Sequence, residues 1–192
     1  MIAVFCYTTH KMNSGYPKLY QEDPGHQILS GHMSDDAYKE ALDSMVVVCV
    51  DAVLIDEEKQ IFYLPRRKQK PMDSWWVIGG RLPAGVFPEV GMQKKFKAET
   101  GLQIEKDRFN FVCMNRYLFK DRQQEPQNHG ADSLSYTYYL VPTQQELEAI
   151  SSSLEENEYD TEQKLKSFSR QELVEEKVHP MLIDLWDKIF SK

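Results

Sequence analysis

The residues best equipped for chemistry lie between Trp75 and Leu102, in the run WWVIGGRLPAGVFPEVGMQKKFKAETGL. Trp75, Trp76, Val77 and Ile78 predict a short apolar strand that runs into Gly79 and Gly80, and Arg81 follows at once. Pro83 and Gly85 mark a loop, Pro88 suits the first turn of a helix, and Gly101 suits its end. Strand, glycine loop and helix make a compact seat for phosphate and metal. Glycine lets the backbone come close to a ligand, and loop amides can face an anion. Arg81 sets a cation beside that seat. Just upstream, Arg66-Arg67-Lys68-Gln69-Lys70 is the densest basic run of the chain. A guanidinium forks onto phosphate through two parallel hydrogen bonds. Phosphate contact is therefore one reading of Arg66 and Arg67, and a solvated loop is the other.

Further groups invite a chemical reading. Asp51 interrupts an apolar, β-branched run, and a buried carboxylate needs a partner or a task because burying an unpaired charge is costly. It either serves a site or bonds loop amides. His129 stands in a polar loop, where it is a general base working near neutral pH or a plain surface histidine. The segment from Glu155 to Glu162 is dense in acids that either ligate a metal, supply a base or meet water. Trp75 reads first as core and second as a stacking platform for a base.

The elements that must carry these groups follow from pattern and punctuation. Ser34 caps a short helix with acids in its first turn. Met45 to Ile55 predicts a central buried strand. Asp56 to Gln60 is a hairpin turn, and Ile61 to Leu64 pairs back until Pro65. The helix from Pro88 carries Glu99 near its end, where Lys94 is placed to pair with it. Strands follow at Phe109 to Phe119, Ser133 to Val141 and Lys164 to Phe168. Thr143-Gln-Gln-Glu146 and Ser169-Arg-Gln-Glu172 are capping boxes that start helices. After His179-Pro180, the stripe of Met181, Leu182, Leu185, Trp186 and Phe190 reads as core or dimer contact. Residues 1–33 form an extension in which a strand is possible, and 34–192 form one domain. His10, His26 and His32 share no spacing there.

Composition narrows the function classes. The chain has 192 residues, 41% of them hydrophobic, with net charge −7. That charge argues against nonspecific nucleic-acid binding, so an anionic ligand needs a local basic patch or a metal. Cys6, Cys49 and Cys113 are odd in number and lack metal-site spacing, which points to reduced thiols in a cytoplasmic protein. No apolar run approaches the length of a membrane span.

The stretch from Gly80 to Leu102 resembles the Nudix box. Its frame of Gly, Glu, Arg-Glu, Glu-Glu and Gly fits without a gap; Val86, Lys95 and Ala98 replace its acids except Glu99, and Lys94 replaces its Arg. The resemblance implies an α/β/α sandwich with a mixed β-sheet. Around the box the chain is most similar to the GDP-mannose mannosyl hydrolase branch, which shares a basic run before proline, an aromatic pair, Gly-Gly-Arg and Ala-Glu-x-Gly-Leu. The branch implies that Glu99 and the Gly79 carbonyl hold one Mg²⁺. Arg66 and Arg81 would share the charge of a diphosphate, with Arg67 beside them, and Asp51 would take part in the site. The implied reaction is cleavage of the sugar–phosphate C–O bond of a GDP-mannose-like nucleotide diphosphate sugar, with His129 or an acid of the Glu155–Glu162 loop as base. By analogy the protein is a homodimer. Lys95, which stands where a metal-binding Glu usually points, either contacts phosphate or is solvated. Two alternatives remain: a nucleotide or nucleotide-sugar binder without turnover, and a nucleoside diphosphate pyrophosphohydrolase that recruits Asp56, Glu57 or Glu89.

Overall fold

The computed structural model describes residues 16–191 with the exception of Leu19, Pro24 and Leu29. No strand forms in the described part of the N-terminal segment, and Cys6 and His10 lie outside the described residues. Helix α1, Asp35–Ser44, starts where Ser34 accepts the Ala37 amide. Strand β1 is Val47–Asp56, β2 is Ile61–Pro65 and β3 is Ile78–Arg81. Helix α2, Pro88–Thr100, ends on Gly101 in the left-handed region at φ 69°. Then come β4 (Asn110–Phe119), β5 (Ala131–Leu140), α3 (Gln144–Ser153), β6 (Leu165–Phe168), α4 (Arg170–Glu175) and α5 (Pro180–Phe190).

The strands form one mixed sheet in the order β4-β5-β1-β2-β6. β1 is its axis: Val50 to Ile55 are all buried, as a β-branched run predicts for a strand covered on both faces. It runs parallel to β5 along one edge. Along the other edge its start pairs with β3 and its end with β2, both antiparallel. Val50, Ala52 and Leu54 face Met92 and Phe96 of α2. Val53 and Ile55 face Leu173 of α4 and Leu182 and Leu185 of α5. Burying each such side chain stabilises the fold by roughly 1.5–3 kcal/mol, so the pattern clamps β1, and with it Asp51, between the two helical layers.

One expectation needs correction. The strand before the glycines starts at Ile78 and includes Gly79, Gly80 and Arg81, because it is these residues that reach β1; Trp75 makes only a lone bridge to Arg66. Trp75 packs edge-on against Phe168, at 5.4 Å between ring centroids, in keeping with its role as core. Both capping boxes form as expected, at Thr143 and Ser169. Cys49 and Cys113 are free thiols. No helix among the described residues is long and apolar enough to cross a membrane.

Candidate functional site

Pairing of β3 with the start of β1 places Gly79 opposite Asp51 and Gly80 opposite Val50. Gly79 is buried so tightly that a Cβ there would stand 2.2 Å from the Val50 carbonyl oxygen and 2.4 Å from Asp51 Oδ1. Only glycine lets the two strands meet at this point. α2 packs over the same turn and brings Glu99 to it. Glu99 is 3% exposed, and its Oε2 accepts the Gly79 amide at 3.3 Å. The same oxygen accepts the Tyr159 hydroxyl, while Lys95 Nζ lies 2.8 Å from Oε1. Lys95 sits one helical turn before Glu99, the spacing at which side chains meet on one face. Lys95, and not Lys94, is therefore the partner of Glu99.

Asp51 is 7% exposed and accepts a hydrogen bond from Ser135 of β5. Burial pushes its carboxyl up to about 6, and the charge of Glu99 adds to that. Ser135, Arg67 and Lys95 pull the other way. Burial opposes the Arg67 charge, but Glu158, Tyr159, Glu99 and Asp51 outweigh it and hold Arg67 above its usual pKa. Tyr159 is pushed far up by burial and by Glu99, so it stays a neutral donor to that carboxylate. Gly79, Glu99, Lys95, Asp51 and Arg67 thus form one cluster at the β3–α2 turn.

The remaining candidates have other company. Arg66 pairs with Asp73 at 2.7 Å and Arg67 with Glu158 at 2.9 Å. His129 is exposed and meets Asp43 of α1 at 3.1 Å. Its loop is tied to α1 by Arg122, 1% exposed, which also bonds Asp43 at 2.7 Å. Among the described residues Arg81 has no carboxylate partner; its guanidinium carbon lies 4.8 Å from the ring centroid of Tyr38 on α1. In the acidic loop Glu158 spends its charge on Arg67, and Glu155 accepts the amides of Asn157 and Glu158. Tyr159 and Tyr38 were not singled out by the sequence. Neither carries a local signal, since each joins the site only through a long-range contact.

A divalent cation needs free hard oxygens, several of them, at short range. Both oxygens of Glu99 already accept protein donors, and one of those donors is an ammonium. Among the described residues no group of three or more His, Cys, Asp and Glu converges on a metal position. These residues do not fit a multi-carboxylate metal centre. What they offer around the glycine turn is two cations already paired, Lys95 with Glu99 and Arg67 with Glu158, and one, Arg81, without a carboxylate among the described residues.

Comparison with known proteins agrees with this architecture. The family model described as NUDIX domain matches residues 45–183. A MutT NUDIX hydrolase from Burkholderia pseudomallei superposes with a TM-score of 0.54 at 17% identity, over 74% of this chain and 97% of that one. The MutT protein from Methanosarcina mazei Go1 gives a TM-score of 0.52 at 14% identity, over 75% of this chain and 92% of that one. The dihydroneopterin triphosphate pyrophosphohydrolase of E. coli gives 0.50 at 9% identity, over 75% and 94%. At such identities the likeness is one of fold. No curated protein matches the chain.

Proposed function

The chain belongs to the Nudix family, and from that membership we propose that it binds a small molecule through a diphosphate group, with the ammonium of Lys95 standing where relatives place a metal. Nudix proteins as a family act on small molecules and use a divalent cation. Here the carboxylate left to hold that cation is engaged by Lys95, Tyr159 and the Gly79 amide. One observation carries the reading. Of the seven arginines, six pair with a carboxylate: Arg66, Arg67, Arg108, Arg116, Arg122 and Arg170. Arg81, on the turn beside Gly79 and Gly80, does not, and its donors face no anion among the described residues. In a chain of net charge −7, a guanidinium left free beside a glycine turn supports an anionic ligand.

The preferred ligand class is a nucleotide diphosphate sugar, GDP-mannose-like at its most specific, because Gly-Gly-Arg follows the aromatic pair as in that branch. Titration calorimetry with a panel of such sugars tests this, once in EDTA and once with Mg²⁺. Binding is expected in EDTA, and Arg81→Ala is expected to weaken it by about 10- to 100-fold, the worth of hydrogen bonds to a charged group. A protein that binds only with Mg²⁺ overturns the Lys95 reading. One feature keeps hydrolysis in view as a second reading. Asp51, pushed to about 6, is a buried carboxyl poised near neutrality and within electrostatic reach of Glu99 and Lys95. Release of nucleoside diphosphate and free sugar by the same samples would support cleavage of the C–O bond. Release of nucleoside monophosphate and sugar phosphate would point to phosphoanhydride cleavage.

A further inference from the structure

An arginine can be ordered in two ways. Pairing it with a carboxylate fixes the side chain but offsets its charge and commits one or two of its five N–H donors. Laying its flat face on an aromatic ring also fixes it, yet leaves the donors, which point outward in the guanidinium plane, free for another partner. Among the described residues Arg81 alone is placed in the second way: its guanidinium carbon lies over the Tyr38 ring at 4.8 Å.

Tyr38 belongs to α1, outside the sheet and its two covering layers. None of the α1 residues is buried. The helix is held by Asp43, which bonds the buried Arg122 at 2.7 Å and His129 at 3.1 Å. Upstream, the same segment follows the rim of the glycine turn. Tyr16 donates to Glu89 at the start of α2 at 2.8 Å, and Ile28 packs against Gly85. Burial raises the Tyr38 phenol, while Arg81, Lys95 and Arg67 pull it back, so three cations of the site lie within reach of this one ring.

We propose that Tyr38 is a positioning residue of the ligand site: its ring holds the Arg81 guanidinium flat, with its donors turned to the diphosphate. The N-terminal segment is then part of the site, and α1 supplies the surface on which Arg81 is set. This rests on the reading of Arg81 as a ligand contact and adds to it a residue from outside the glycine turn and its helix.

Titration of the full chain with inorganic pyrophosphate in EDTA tests the inference. Tyr38→Ala is expected to weaken binding about fivefold, the range of a partly desolvated cation–π contact. Tyr38→Phe keeps the ring and is expected to bind within about twofold of the unaltered protein. Tyr38→Leu, which keeps the bulk and loses the ring, should follow alanine, so that a loosened α1 is not mistaken for a lost stack. In an Arg81→Ala background, Tyr38→Ala should change nothing further. Full binding by Tyr38→Ala, beside weakened binding by Arg81→Ala, overturns the role of Tyr38 and leaves the ligand reading intact. Equal losses from Tyr38→Ala with and without Arg81 also overturn it, because Tyr38 then acts on its own. An unaltered protein that binds no pyrophosphate overturns both.

Discussion

Gly79→Ala is expected to lower the melting temperature by about 6–12 °C and to abolish ligand binding, while Gly80→Ala, one residue on, should cost far less. The difference lies in what each new methyl group meets. At Gly79 it would stand 2.2 Å from the Val50 carbonyl oxygen and 2.7 Å from the Asp51 Cα. Both are backbone atoms of β1, which is clamped on its two faces and has no room to retreat. At Gly80 the nearest atom is Lys95 Cε at 2.8 Å, part of a long side chain that can swing aside. Overpacking a rigid site costs roughly 1–3 kcal/mol and sometimes more. With the neighbours here unable to move, about 3 kcal/mol is the fair figure, and a chain of this size loses roughly 2–4 °C per kcal/mol. Differential scanning calorimetry of the two variants reads the contrast. Equal melting temperatures for Gly79→Ala and Gly80→Ala would mean that β3 does not pack on β1 in the register described.

Asp51→Asn is expected to stabilise the protein at pH 7.5, by up to about 3 kcal/mol, with the gain vanishing towards pH 4. The sign follows from proton binding. The Asp51 carboxyl is raised from 3.8 to about 6 in the folded state, mainly by burial. Between those values the folded state keeps a proton that the unfolded chain has released, so stability falls as pH rises through that window. Below about 4 both states are protonated and the penalty is gone; above about 6 it is present in full. One pKa unit corresponds to about 1.36 kcal/mol, so a shift of this size amounts to about 3 kcal/mol. Asparagine carries no such charge and can still accept the Ser135 hydroxyl. Urea titrations of both proteins from pH 4 to pH 8 give the result as a difference. Taking that difference matters: Glu146, held down to about 2 by Arg108, and Asp43, held low by Arg122 and His129, tilt the raw curves in the opposite sense. They cancel between the two proteins. A gap that stays constant with pH would show that Asp51 is not the group that titrates.

Much of the frame could be read from local chemistry. Ser34, Thr143 and Ser169 announce helix starts because a short polar side chain there satisfies an amide that the helix leaves open. Pro88 and Gly101 bracket α2 for similarly local reasons, and the β-branched run of β1 leaves little choice but a buried strand. The spacing of the box also brings Glu99 to the glycines, although the bond the structure shows is donated by the Gly79 amide. Tertiary distance hid the rest. Glu99 is bound by Tyr159, 60 positions away, from a loop whose acids drew attention while its tyrosine did not. Arg81 is stacked on Tyr38, a residue that looks like any other on a polar helix. The choice between Lys94 and Lys95 is local: the box frame points to Lys94, but helical periodicity sets Lys95 one turn before Glu99. The start of β3 is not: Trp75 to Val77 look more strand-like than two glycines, yet only glycine can lie against β1 at Asp51.

The two-part edge of β1 has a consequence for how this protein can vary. Because β2 and β3 share that edge, the chain must leave the sheet after Pro65 and return at Ile78. It departs and arrives through a narrow neck: the Arg67 amide donates to the Ser74 carbonyl at 2.9 Å, and the Trp76 amide to the Pro65 carbonyl at 3.1 Å. Strand register is insulated from what lies beyond the neck, so the tip can change without sliding β2 or β3 as long as Lys68 keeps its amide bond to the Glu158 carbonyl and Asp73 its pairing with Arg66. That tip is a cassette on a fixed mount. Related chains are free to diversify there, and a designer wishing to retune what the protein accepts would graft at that point first.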